Sequence, residues 1–131
     1  MVLIDSSAWI EFIRPGGSPV AKARVRQLLE TGLAATCGVV SVEVLRGTRH
    51  RRDFEALSEA FAALPQLPLD EAVIARAAAW GFDLDKKGTA LPTTDLLIAA
   101  AAFEKAVLLH ADRDFELIAA TFGLAQERIV L

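Results

Sequence analysis

The stretch Val2-Leu3-Ile4-Asp5-Ser6-Ser7-Ala8-Trp9 decides the fold. Its first three residues are a short apolar run, which is typical of a strand buried on both faces. Asp5 ends that run, and either Ser6 or Ser7 can cap a helix that continues to Ile13. The stretch therefore predicts a buried strand that passes directly into a helix.

The same alternation continues along the chain. Further short apolar strands are predicted at 34–37, 107–109 and 129–131. Caps, breakers and periodicity predict helices at 19–30, from about 41, 50–64, 71–85, 95–105 (capped by Thr93 or Thr94) and 115–122. Apolar strands that alternate with helices indicate a parallel sheet covered on both faces. We therefore expect an α/β fold, a three-layer α/β/α arrangement with a central, mostly parallel sheet.

Size and composition are those of an ordinary globular protein. A chain of 131 residues suits one domain over 1–131, and 53% apolar residues argue against disorder. No apolar run approaches the roughly 20 residues that span a bilayer, and no secretory signal is visible. Cys37 is the only cysteine and cannot form an internal disulfide. These features favour the cytoplasm and no membrane association.

Four acids occupy positions that chain geometry brings to one edge of such a sheet. Asp5 and Asp112 follow predicted strands, while Glu43 and Asp95 lie near the starts of predicted helices. Helices here run antiparallel to the strands, so the start of a helix and the end of a strand share one edge. Ligands bind at that edge in parallel α/β sheets. Strand order then decides whether the four acids share one pocket.

Four carboxylates in one cleft repel each other and favour protonation unless a cation is present. Ligands that offer only oxygen favour Mg²⁺, Mn²⁺ or Ca²⁺ over zinc. His50, His110 and Cys37 show no zinc-like spacing. Because a hard cation at an acidic site commonly serves phosphate-ester chemistry, hydrolysis of a phosphodiester by water is the mechanistic hypothesis.

Each acid also has a purely structural interpretation. Asp5 can cap a helix, Asp95 can interact with a helix dipole, and Glu43 can pair with Arg46 three residues on. Asp112 and Asp114 can be turn residues. The functional hypothesis depends on the acids meeting at one edge, not on any one of them.

A basic cluster begins one helical turn after Glu43. Its candidate phosphate-binding residues are Arg46, Arg49, Arg51 and Arg52. Such a cluster can bind RNA phosphates with strong salt dependence, or it can be a solvated helix junction.

Four segments in order resemble the PIN-domain family, in particular the VapC-type toxins of bacterial and archaeal toxin–antitoxin pairs. The segments are Val2 to Trp9, Val42-Glu43-Val44-Leu45-Arg46-Gly47, Asp95-Leu96-Leu97-Ile98-Ala99-Ala100 and His110-Ala111-Asp112-Arg113-Asp114-Phe115. The resemblance spans nearly the whole chain.

The resemblance implies a metal-dependent endoribonuclease that cleaves RNA and blocks translation. It implies Mg²⁺ as the cofactor, with Mn²⁺ as the alternative. It also implies a homodimer and a cognate antitoxin, and the protein would contact DNA only through that antitoxin. The metal-binding and catalytic acids that it implies are Asp5, Glu43, Asp95 and Asp112. Ser6 and Thr94 would support the site, and many family members have asparagine in place of Thr94. Asp114 is the alternative to Asp112, with Asp112 preferred and Asp114 expected to cap the next helix.

Three rival interpretations remain open. A small phosphatase could use Asp5 as its nucleophile, although such sites generally need a second aspartate where Ser7 stands. The chain could be a non-catalytic interaction module that keeps the fold. It could also be a PIN-domain nuclease of RNA processing or decay, although the small size favours the toxin.

Overall fold

The computed structural model describes every residue from Met1 to Leu131. Its four strands are β1 (Val2–Ile4), β2 (Ala34–Ala35), β3 (Val107–His110) and β4 (Gln126–Arg128). Its seven helices are α1 (Ser6–Ile13), α2 (Pro19–Glu30), α3 (Gly38–Arg46), α4 (Arg51–Ala62), α5 (Glu71–Lys86), α6 (Thr93–Ala102) and α7 (Arg113–Phe122). No helix combines the length and the apolar character that crossing a bilayer requires.

The strands form one parallel sheet in the order β2-β1-β3-β4, which confirms the predicted α/β fold. From β1 the chain crosses to β2 on one side, and it later returns to place β3 on the other side of β1. Right-handed crossovers in opposite directions put α1 and α7 on opposite faces of the sheet. A crevice therefore opens beyond the carboxyl ends of β1 and β3, the place where parallel α/β sheets bind ligands.

Small side chains allow the layers to approach closely. In α6, Ile98 and the four alanines from 99 to 102 are completely buried, and a helix that is apolar all round is an interior helix. A Cβ added at Gly81 of α5 would lie 2.9 Å from Leu96 Cδ1 of α6. This close α5–α6 contact fixes the position of α6, whose first turn carries Asp95.

The last strand differs from its prediction. The apolar run 129–131 was expected to form it, but the ladder pairs Leu108 with Gln126 and His110 with Arg128. Polar residues can form this edge strand because each side chain finds a partner: Gln126 bonds His110, Glu127 bonds Arg24 and Arg128 bonds Glu116. Val130 and Leu131 are exposed.

Near the acids, the helix boundaries differ from those that the sequence predicts. Helix α3 begins at Gly38, so Glu43 lies in its second turn rather than its first. The N-cap of α6 is Pro92, which makes no side-chain capping bond, and neither Thr93 nor Thr94 caps it. The N-cap of α1 is Asp5 rather than Ser6 or Ser7. Helix limits read from periodicity are least reliable at such ends, because caps depend on backbone angles.

Candidate metal centre

Asp5 and Asp112 occupy similar positions after the two central strands. Asp5 follows β1 directly, Asp112 follows β3 after Ala111, and each is the N-cap of the next helix. In each case one carboxylate oxygen accepts the backbone N–H two residues on: Ser7 to Asp5 Oδ2 and Asp114 to Asp112 Oδ1, both at 2.9 Å. The other oxygen makes no hydrogen bond. One oxygen of each carboxylate therefore caps a helix, and the other has no hydrogen-bond partner within the protein.

The cap at β3 corrects the expectation for the Asp112–Asp114 pair. Asp112 caps α7, and Asp114 lies inside the first turn of that helix. Carboxylate oxygens of Asp95, Asp112 and Asp114 nevertheless all lie within 4.8 Å of one another. The structure thus brings both acids of this segment to Asp95 and does not choose between them.

Ser7 joins the ends of β1 and β3, a role that the sequence did not reveal. Its hydroxyl donates to Asp5 Oδ2 and accepts the Ala111 backbone N–H at 2.9 Å. The only sequence signal was its place two residues after Asp5, which suggested a helix cap. Its contact with Ala111 depends on β1 lying beside β3.

Glu43 reaches the same region from α3. Its Oε1 accepts a 3.0 Å hydrogen bond from the Ser6 hydroxyl, which is the position that the resemblance gave a supporting role. Helix α3 contacts both α1, which Asp5 caps, and α6, whose first turn carries Asp95. Thr94, in contrast, is exposed and its side chain makes no hydrogen bond to any of the acids.

The pKa values of Asp95 and Asp5 show that neighbouring acids influence these two carboxyl groups. The pKa of Asp95 is raised to about 7, mainly by burial and then by the charges of Asp112, Asp5, Asp114 and Glu43, in that order. Burial also raises the pKa of Asp5, with a smaller contribution from Glu43. The charges of the other four acids therefore reach Asp95, and together with burial they disfavour its ionisation.

The donor set fits a hard divalent cation. Every candidate ligand is a carboxylate oxygen, the donor that Mg²⁺ and Mn²⁺ prefer. Asp5 is 3% exposed, and its Oδ1 is buried without a hydrogen-bond partner. A buried carboxylate oxygen without a partner is costly, and a cation would remove that cost. Mutual repulsion among the acids would be offset in the same way.

The basic cluster lines a groove that reaches Glu43. Arg46, Arg49 and Arg51 are exposed and, with His50, line an open cavity of about 530 Å³ at the α3–α4 junction. A second cavity contains both Thr48, which also lines the first, and Glu43. Arg52 does not line the groove and lies 4.0 Å from Asp53 instead. Three of the four arginines therefore face one surface that continues to Glu43.

Comparison with known proteins agrees with this geometry. The PIN domain family model matches residues 2–120. The chain belongs to the PIN-domain family. VapC ribonuclease Mb1587 of Mycobacterium bovis is 37% identical over 124 residues, which cover 91% of this chain and 92% of that protein. Ribonuclease VapC51 of Mycobacterium tuberculosis is 32% identical, covering 98% of this chain and 92% of its own length.

Solved structures share the fold of this PIN-domain protein. The structure of VapBC2 from Rickettsia felis bound to a promoter DNA fragment superposes with a TM-score of 0.79 and 18% identity, covering 99% of this chain and 100% of that one. VapBC-1 from nontypeable Haemophilus influenzae gives a TM-score of 0.73 and 19% identity, with 98% of each chain covered. At such identities the likeness concerns the fold alone.

Proposed function

We propose that this protein is a divalent-metal-dependent endoribonuclease and the toxin of a toxin–antitoxin pair. The observation that carries the proposal is the meeting of five carboxyl groups in the crevice beyond β1 and β3, with the pKa of Asp95 raised to about 7. Relatives with 37% identity over most of the chain bear the name ribonuclease, which supports RNA as the substrate.

Asp5, Glu43, Asp95 and Asp112 are the proposed metal-binding and catalytic acids, with Asp114 as a further candidate ligand. When bound, Mg²⁺ or Mn²⁺ supplies Lewis acidity, offsetting charge on the phosphodiester and making water a stronger nucleophile at neutral pH. The chain's own part is orientation. Caps fix one oxygen each of Asp5 and Asp112, and the Ser6 hydroxyl fixes Glu43.

The arginine groove is the proposed RNA-binding surface. Arg46, Arg49 and Arg51 lie on a surface that continues to Glu43, so phosphates bound there would lead the strand toward the acids. Guanidinium groups contact phosphate oxygens with two parallel donors and so position the strand without reading its sequence. Arg52 contributes less because it does not line the groove.

Similar solved structures support the proposed partners. Among them are toxin–antitoxin assemblies, one of them bound to DNA from their promoter. We propose a cognate antitoxin as the inhibitor, contact with DNA only through it, and a homodimer of this chain. An RNA substrate and a block of translation place the proposed activity in the cytoplasm.

The deciding experiment measures cleavage of total cellular RNA by the purified protein with Mg²⁺, with Mn²⁺ and with EDTA. We expect cleavage that requires metal and that falls by more than about 100-fold in Asp5→Asn and Asp95→Asn, beyond the loss typical of residues that only support a metal ligand. Thermal stability should rise with Mg²⁺ in the wild type, by about 2.7 kcal/mol at 100 times the dissociation constant, and not in either variant.

Three results would contradict the proposal. Metal-independent cleavage, or wild-type rates in Asp95→Asn, would remove the acids from the chemistry. Hydrolysis of a generic phosphate monoester without RNA cleavage would favour the phosphatase interpretation, with Asp5 as its nucleophile.

Expression in a bacterial host separates a toxin from a processing nuclease. A toxin arrests growth within a generation, and co-expression of its cognate antitoxin relieves that arrest. Normal growth together with metal-dependent trimming of precursor RNAs would identify a nuclease of RNA processing instead.

A further inference from the structure

His110 is a completely buried polar residue at the carboxyl end of β3. Its ring packs at a tilt of 53° against Phe115, with the centroids 5.1 Å apart. Nε2 lies 2.7 Å from Oε1 of Gln126 on β4, and Nδ1 lies 3.2 Å from the backbone nitrogen of Asp112. One imidazole ring therefore connects the edge strand to the backbone of a candidate metal ligand.

The chemistry of the partners fixes the direction of both hydrogen bonds of His110. A backbone N–H can only donate, so His110 Nδ1 must accept from Asp112. A neutral imidazole has one acceptor and one donor nitrogen, so the proton lies on Nε2. Nε2–H then donates to Gln126 Oε1, the acceptor that lies opposite it. Gln126 thus selects the tautomer whose Nδ1 can hold the Asp112 backbone.

This contact occurs where the sheet no longer provides partners. Beyond β3, the N–H groups of Ala111 and Asp112 are both taken by side chains, Ser7 Oγ for the first and His110 Nδ1 for the second. Buried backbone donors need a partner, so both contacts restrain the turn. The Asp112 carboxylate is attached to that restrained turn, and its Oδ1 is held by the helix cap.

We propose that His110, with its tautomer set by Gln126, is a positioning residue that orients Asp112 toward the metal. This inference rests on the proposed function, because it assigns His110 a role only if Asp112 is a ligand. His110 does not touch the metal or the substrate in this role. Partners that orient a ligand from behind typically change metal affinity by 10–100-fold when they are removed.

Two substitutions separate positioning from packing. His110→Phe keeps a ring against Phe115 but offers no acceptor to the Asp112 N–H. His110→Asn leaves a space in the core but places its Oδ1 near the site of Nδ1. If His110 acts only by packing, His110→Phe should retain metal affinity better than His110→Asn. If His110 positions Asp112, His110→Asn should retain metal affinity better.

The measurement is Mn²⁺ affinity of the metal-free protein by titration calorimetry, with thermal unfolding of the same samples. We expect about tenfold weaker Mn²⁺ binding in His110→Phe and an affinity within about threefold of wild type in His110→Asn. Ring ¹⁵N shifts of the wild type should report the tautomer with the proton on Nε2. Gln126→Leu, which keeps the ring but removes its acceptor, should lie between wild type and His110→Phe.

Wild-type Mn²⁺ affinity in His110→Phe, or a ring proton on Nδ1, would overturn the proposal. An affinity that merely follows unfolding temperature across the variants would also overturn it. If His110→Phe does not fold, Gln126→Leu decides, and wild-type affinity there rejects the inference. A wild-type protein that binds no Mn²⁺ and cuts no RNA would instead reject the proposed function.

Discussion

The hydroxyl of Ser7 accepts a 2.9 Å hydrogen bond from the backbone N–H of Ala111, 104 positions further along the chain. The same hydroxyl donates to Asp5 Oδ2. One small side chain therefore joins the segment that follows β1 to the segment that follows β3. The distance between the two capping acids, Asp5 and Asp112, depends on this connection.

Ser7→Ala should weaken both the fold and the site. It leaves the Ala111 N–H without its partner and removes one donor from Asp5, so the free energy of unfolding should fall by about 1–3 kcal/mol. Mn²⁺ affinity should fall about tenfold, because Asp5 is then less firmly oriented. Denaturant unfolding and calorimetry measure the two effects.

Ser58→Ala is the matched control for this substitution. Ser58 is a half-buried serine of α4 whose side chain makes no hydrogen bond, so its removal should change stability by less than about 0.5 kcal/mol. Equal losses in the two variants would show that the Ser7 bridge contributes nothing.

Stability of the metal-free protein should decrease as pH rises from about 4 to about 7. The pKa of Asp95 is raised from 3.8 to about 7, so in this range the folded chain keeps a proton that the unfolded chain has released. The full shift corresponds to about 4 kcal/mol. Because Asp95 is only half-buried, solvent screening reduces the expected loss to about 1–2 kcal/mol.

Urea unfolding at several pH values checks this loss, with Asp95→Asn as the comparison. The variant cannot ionise at position 95, so its stability should change less between pH 4 and 7 and should exceed that of the wild type above pH 7 without metal. Saturating Mg²⁺ should remove the difference by stabilising the wild type alone. A wild-type profile that rises over this range would mean that Asp95 is not forced to stay protonated.

Substitutions in the arginine groove should weaken RNA binding according to position. Arg49→Gln should reduce affinity for a non-cleaved RNA in Ca²⁺ and lower the slope of log affinity against log salt by about 1. Arg52→Gln should have a smaller effect, because Arg52 does not line the groove. Arg26→Gln is the control, since Arg26 is an exposed arginine of α2. Equal slopes in all three variants would mean that RNA binds elsewhere.

Two neighbouring glycines should respond differently to alanine. A Cβ at Gly17 would lie 1.8 Å from the backbone oxygen of Glu11, whereas a Cβ at Gly16 would meet nothing within 4 Å. The Glu11 carboxylate also bonds Arg14 and the Ser18 N–H, which holds the α1–α2 turn in place. Gly17→Ala should therefore cost about 1–3 kcal/mol or more, and Gly16→Ala less than about 0.5 kcal/mol. Similar unfolding midpoints would contradict this packing.

The local sequence pattern alone predicts the alternation of strands and helices. It also predicts that Asp5 and Asp112 lie near the ends of strands. Short apolar runs, capping residues and proline or glycine breakers act over a few residues, so one sequence contains them fully. The apolar run predicts the last strand at 129–131, which is wrong because β4 is the polar segment Gln126–Arg128. Its polar side chains are stabilised by partners on distant elements, such as Arg24 and His110.

Tertiary structure alone decided the order β2-β1-β3-β4, and with it the crevice in which the acids meet. Strand order depends on pairing between segments about 100 residues apart, which periodicity does not encode. The β1–β3 pairing gives Ser7 its contact with Ala111, and the β3–β4 pairing gives His110 its contact with Gln126. Sequence thus supplied the carboxylates, while long-range pairing of parallel strands brought them within reach of one another.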